Sequence, residues 1–88
     1  MDFAALKKIL VKENINPIEY DILEKGYVTG FDGYIIESIE SGYGLYYMER
    51  GQKNLIAEFS GEKEVCLAFL KELAKTGDPQ LAKYIQWL

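Results

Sequence analysis

The sequence predicts an α+β fold in one domain spanning residues 1–88: a three- to four-stranded antiparallel sheet, run as a meander, packed against an N-terminal helix and two C-terminal helices. Three observations lead there. An amphipathic helical period opens the chain, short β-prone runs broken by glycine fill its middle, and a long helical stripe followed by a second helix start closes it. At 88 residues the chain falls below the roughly 100–200 residues of a typical domain, so one core is expected and a deep cleft is hard to build.

Asp2 is placed to cap a helix running to about Glu13, because Phe3, Leu6, Ile9 and Leu10 share one face while Lys7, Lys8 and Lys12 fall on the other. Asn16-Pro17-Ile18-Glu19 then carries a second helix-start signal, with Asn16 as cap, Pro17 in the first turn and Glu19 reaching back. The same stretch alternates apolar and acidic residues from Ile18 to Ile22, the period of a half-buried strand. One turn of helix followed by a strand is the reading taken; a continuous second helix is the alternative.

Glycines at 26, 30 and 33 interrupt the next stretch, and Asp32-Gly33 reads as a turn. Tyr34–Ile39 reads as a strand, Glu40-Ser41-Gly42 as its turn and Gly44–Glu49 as the return strand. Residues Arg50 to Asn54 turn the chain into a third strand, Leu55–Phe59. The paired aromatics Tyr46 and Tyr47 blur the alternation, so the face turned to the helices is left open. From Ser60 or Gly61 the residues Val65, Cys66, Phe69, Leu70 and Leu73 form an apolar stripe opposite Lys63, Glu64, Lys71, Glu72 and Lys75, and Gly77 ends that helix. Asp78-Pro79 opens a last short helix with Leu81, Ile85 and Leu88 on one face.

Composition narrows the function. The chain is 49% hydrophobic and 27% charged, the balance of an ordinary soluble globule, and no apolar run reaches the roughly 18–20 residues needed to span a bilayer. The opening residues lack a signal-peptide pattern, so a soluble, unprocessed chain is expected. Cys66 is the one cysteine, which excludes an internal disulfide and fits a reducing, cytoplasmic compartment. There is no histidine, which removes the commonest general base, the Ser-His and Cys-His pairs and nearly all zinc sites. No metal, no cofactor and no catalytic residue is expected, and the balance moves from enzyme to binding protein.

Charge is distributed unevenly. The net charge is −4, with a pI near 4.8, unlike the basic face of a nucleic-acid binder. Between Glu13 and Glu49 eight acids meet a single base, Lys25, a local charge of −7, whereas residues 51–88 balance to zero. Six of the seven tyrosines fall in that acidic stretch. Tyrosine supplies rigid contact area with few rotors to immobilise, and carboxylates steer a basic partner. The candidate partner-binding residues are Asp32, Tyr34, Glu37, Glu40, Tyr43, Tyr46, Tyr47, Glu49 and Arg50. The competing reading makes the acids solvated strand edges and the tyrosines half-buried sheet residues.

Other constellations are weak. The glycine cluster matches no phosphate-binding loop. Paired carboxylates such as Glu37 and Glu49 are placed to approach each other across the hairpin for acid–base chemistry, but that needs a concave site that so small a meander rarely supplies. Cys66 lies on an apolar stripe, where a thiol behaves as a small hydrophobe. Arg50 is expected either to fork onto a turn carbonyl or a carboxylate such as Glu58, or to contact a partner. Trp87 either covers the core between the last helices or anchors a partner.

The run Gly44-Leu45-Tyr46-Tyr47-Met48-Glu49-Arg50-Gly51-Gln52-Lys53, followed by Phe59, Glu62 or Glu64, Cys66 and Phe69-Leu70, resembles the small immunity proteins of bacterial polymorphic-toxin and contact-dependent growth inhibition systems. The resemblance covers about residues 33–73. It departs at Leu45 or Tyr46, where the family often has tryptophan, and at Val65, where it has alanine. The resemblance implies a cytoplasmic inhibitor that binds the cytotoxic C-terminal domain of a cognate toxin, commonly a basic nuclease such as an RNase, and blocks substrate access. It implies a monomer in a one-to-one complex, with no direct contact to nucleic acid or membrane. The alternative partner class is a second protein met by a small acidic adaptor module that dimerises through its sheet edge.

Overall fold

A computed structural model describes residues 1–24 and 32–85. The first helix, α1 (Phe3–Lys12), begins as expected, with the Asp2 carboxylate accepting from the Ala5 N–H at 2.8 Å, a cap worth about 1 kcal/mol. It buries Leu6 and Leu10. Asn16 caps a single 3₁₀ turn, Pro17–Glu19, by accepting from the Ile18 N–H, and the chain passes directly into a short strand, β1 (Tyr20–Ile22). One helical turn followed by a strand is therefore what this segment adopts.

Three longer strands follow: β2 (Gly33–Ile39), β3 (Gly42–Glu49) and β4 (Gln52–Phe59). They form the expected antiparallel meander, joined by two-residue loops at Glu40-Ser41 and Arg50-Gly51. The full order is β1-β2-β3-β4. The sheet is mixed, because β1 lies parallel to β2, with Tyr20 opposite Tyr34 and Ile22 opposite Ile36. A parallel neighbour needs a crossover rather than a tight turn. Gly33, expected in a turn, is instead the first residue of β2, and a side chain there would meet the Glu19 carbonyl oxygen at 2.2 Å. Glycine permits this close backbone approach.

The long helix α2 (Glu62–Thr76) runs between Gly61 and Gly77, as its stripe predicts. The last helix is a 3₁₀ helix, Pro79–Tyr84, with Leu81 buried. Leu88 and Trp87 lie outside the described residues, as do the glycines at 26 and 30.

Register assigns the faces. Toward the helices point Tyr34, Ile36, Leu45 and, partly buried, Tyr20, Tyr43, Tyr47 and Phe59, packed with Leu6, Leu10, Val65, Cys66, Phe69 and Leu70. Phe69 sits at the centre, edge-on to Tyr20 and Tyr34 at 6.2 and 6.3 Å between ring centroids. Cutting such a ring back to alanine costs about 3–5 kcal/mol. The opposite face holds a smaller cluster of Ile35 and Met48 with Tyr46 against it. In β4 the pairs Leu45–Ala57 and Tyr46–Leu55 leave Ile56 as an extra residue, a bulge that breaks the alternation. Among the described residues no helix is long and apolar enough to cross a membrane.

Candidate functional site

The parallel joint between β1 and β2 brings the 3₁₀ turn Pro17–Glu19 beside the start of β2, at the end of the sheet where α2 terminates. A groove of about 660 Å³ opens there, lined by Glu19, Asp32, Tyr34, Tyr47, Thr76 and Asp78 among others. Tyr34 and Tyr47 are opposed across β2 and β3, their ring centroids 4.9 Å apart and tilted by 53°. Tyr34 is 8% exposed; its phenol and the Thr76 hydroxyl lie 3.4 Å apart, and that hydroxyl donates to the Glu72 carbonyl at 2.9 Å. The Tyr34 ring is thereby pinned against α2 as part of the groove's inner surface.

The electrostatics of the groove are one-sided. Glu19, Asp32 and Asp78 form no ion pair, and no lysine or arginine lines the groove, among the described residues. The C-terminal end of α2, with Gly77 and Asp78 both donating their N–H groups to the Leu73 carbonyl, places the negative pole of the helix at the same spot. Partial burial raises the Tyr47 phenol above its ordinary value, and the charges of Asp32 and Glu49, with Tyr34 beside them, push it in the same direction. A guanidinium or ammonium group meets here what it needs: carboxylates for charge and tyrosine rings for cation–π and apolar contact.

The candidate residues divide into three places. Asp32, Tyr34 and Tyr47 line the groove, Glu49 lies near enough to act on the Tyr47 phenol, and Arg50 is beside them: its backbone N–H donates to Asp32 Oδ1 at 3.2 Å. The Arg50 backbone has φ 52°, and Gly51 φ 79°, the left-handed pair of a type I′ hairpin loop. The expected fork from Arg50 to Glu58 is not formed, because β3 pairs Glu58 with Gly44 at the other end of the hairpin. Its guanidinium makes no hydrogen bond or ion pair among the described residues.

Glu37 and Tyr46 lie on the opposite face. Lys53 reaches both Glu37 carboxylate oxygens, at 2.5 and 3.0 Å, and stands 4.8 Å from the Tyr46 ring centroid. Glu40 and Tyr43 are at the far end of the sheet, Glu40 exposed in a loop and Tyr43 edge-on to Phe3 at 5.2 Å. The pairing of Glu37 with Glu49 for acid–base chemistry fails on register: Glu37 faces Gly44, Glu49 faces Gln52, and the two side chains are on different faces. Among the described residues no cluster of His, Cys, Asp or Glu is arranged to hold a metal.

Glu19 and Asp78 were not among the sequence candidates, since both read as helix-capping acids. In the structure Asp78 makes no side-chain capping bond and the Glu19 carboxylate accepts none. The sequence offers only a weak signal for them: Asp78 directly precedes Pro79, and Glu19 closes the turn that Pro17 opens. Cys66 is buried, and burial first, then the Glu62 charge, pushes its thiol up to about 12. Comparison with known proteins adds no relative: no family model matches the chain, and neither a curated protein nor a solved structure is similar to it.

Proposed function

We propose that this chain is a non-catalytic inhibitor of the immunity-protein kind, which binds and neutralises the C-terminal cytotoxic domain of a cognate bacterial toxin in the cytoplasm. The observation that carries the reading is the groove, where the Tyr34–Tyr47 pair lies among the carboxylates of Glu19, Asp32 and Asp78 with no base lining it among the described residues. A nuclease holds phosphates with positive surface potential, so the same surface is attracted to an acidic aromatic groove, and charge complementarity of this sort accelerates association. A basic side chain of the toxin seated in the groove is withdrawn from its own substrate. Arg50, whose guanidinium makes no ion pair among the described residues, stands at the rim to meet a carboxylate or carbonyl of the partner.

The reading is tested by co-expression. Cells producing the C-terminal domain of whatever large polypeptide is encoded immediately upstream are expected to grow when this chain is present and to stop growing when it carries Asp32→Lys and Asp78→Lys. Growth arrest despite the wild-type chain contradicts the proposal.

A further inference from the structure

The strand order leaves β4 as a sheet edge along its eight residues, and the middle of that edge carries Leu55 and Ile56, 53% and 39% exposed. The other edge, β1, has only three residues. Edge strands present unpaired N–H and C=O groups, and proteins commonly guard them with lysine or a bulge. Here the lysine is drawn inward, since Lys53 pairs with Glu37 of β2 and lies over Tyr46, across the sheet surface instead of along its border.

The bulge contributes something else. In a regular strand residues 53 and 58 would point to opposite faces, but the extra residue at Ile56 lets β3 pair Met48 with Lys53 and Gly44 with Glu58 on one face. Lys53 and Glu58 therefore flank the Leu55-Ile56 pair on the same side of the sheet. Glu58 has no ion pair among the described residues.

We propose that β4 is a self-association edge, on which two copies of the chain pair antiparallel about a twofold axis at Leu55-Ile56. A twofold interface requires a patch complementary to itself. The order base, apolar pair, acid meets that requirement: reversed onto itself it brings the exposed Leu55 and Ile56 of both copies together and sets Lys53 of each copy, whose ammonium has three donors and so can serve a second carboxylate beside its own Glu37, opposite Glu58 of the other. The groove between the 3₁₀ turn at Pro17–Glu19 and the end of α2 lies on the β1–β2 side of the sheet and stays open in the dimer. Self-association does not depend on the inhibitor reading, and it replaces the expected monomer.

Sedimentation equilibrium of the full chain over a roughly hundredfold concentration range tests it, with circular dichroism as the check on folding. A reversible monomer–dimer equilibrium is expected, weakened at least about tenfold by Ile56→Lys. Glu58→Lys alone and Lys53→Glu alone set like charges against each other and give monomers, whereas an equimolar mixture of the two variants gives a mixed dimer. If Lys53→Glu loses its fold along with its Glu37 pair, Ile56→Lys and Glu58→Lys decide the matter. A monomer at every concentration, or a dimer unchanged by Ile56→Lys and Glu58→Lys, overturns the proposal.

Discussion

The phenol of Tyr84 donates a 2.6 Å hydrogen bond to Oε2 of Glu13, and Lys83 reaches the same oxygen at 3.0 Å. Two consecutive residues of the C-terminal 3₁₀ helix thus hold the acid that follows α1. The bond from Tyr84, then that from Lys83, keeps the Glu13 carboxyl below its ordinary value, and the same contacts raise both Lys83 and Tyr84.

Stability therefore depends on pH at both ends. A carboxyl lowered in the folded state contributes fully above its unfolded value and loses that contribution as pH falls through the folded one, while a raised lysine or tyrosine loses its contribution as pH rises through its folded value. The clamp is complete at neutral pH. Melting temperatures of wild type and Glu13→Gln are expected to differ near neutrality and to converge below the ordinary carboxylate range; parallel curves would show that the clamp contributes nothing.

Gly33 governs how closely β2 approaches the 3₁₀ turn. A methyl group placed there meets the Glu19 carbonyl oxygen at 2.2 Å, which is backbone and has little freedom to yield. Gly33→Ala is expected to lower unfolding free energy by about 2 kcal/mol or more in urea titration, in the range of overpacked positions. A loss under about 0.5 kcal/mol, the scatter of neutral surface changes, would mean that the two segments separate easily.

Arg50 occupies a left-handed conformation that disfavours side chains other than those of asparagine, aspartate and glycine. Arg50→Asn is expected to stabilise the fold by about 0.5–1 kcal/mol and, by removing the guanidinium, to weaken partner binding. Stabilisation without any loss of affinity would remove Arg50 from the contact surface.

Buried Cys66, with its thiol pushed up to about 12, reports on opening of the core. A disulfide reagent at neutral pH is expected to leave the native chain unlabelled and to react at once in denaturant, with the native rate following global unfolding. Rapid labelling without denaturant would place Cys66 outside a closed core.

Much of the architecture was legible. The glycines at 61 and 77 bracket α2, the caps at Asp2 and Asn16 act as capping acids and amides do, and the meander follows the expected turns, except that the turn expected over Arg50 to Asn54 closes in the two residues Arg50-Gly51, so that Gln52, Lys53 and Asn54 already belong to β4. The sheet faces were harder, because Tyr46 and Tyr47 are both aromatic and the Ile56 bulge resets the period of β4, so that Tyr34 and Tyr47 enter the core face while Tyr46 does not. The parallel seat of β1 was not legible at all, since a strand's neighbour across a crossover leaves no local signal. That seat is what brings Glu19 to Asp32, so one of the groove's three carboxylates gave no local sign of belonging with the others.

The groove is proposed to bind a basic protein. Isothermal titration of the chain against the C-terminal domain of whatever large polypeptide is encoded immediately upstream, at low and at moderate salt, tests it most directly, with Asp32→Asn/Asp78→Asn and Glu40→Gln as comparison chains. The account predicts one toxin domain per chain, affinity that falls with salt, and a loss of at least about tenfold for the groove variant with none for Glu40→Gln. Binding that ignores salt and the two groove substitutions, or no binding at all, would contradict it.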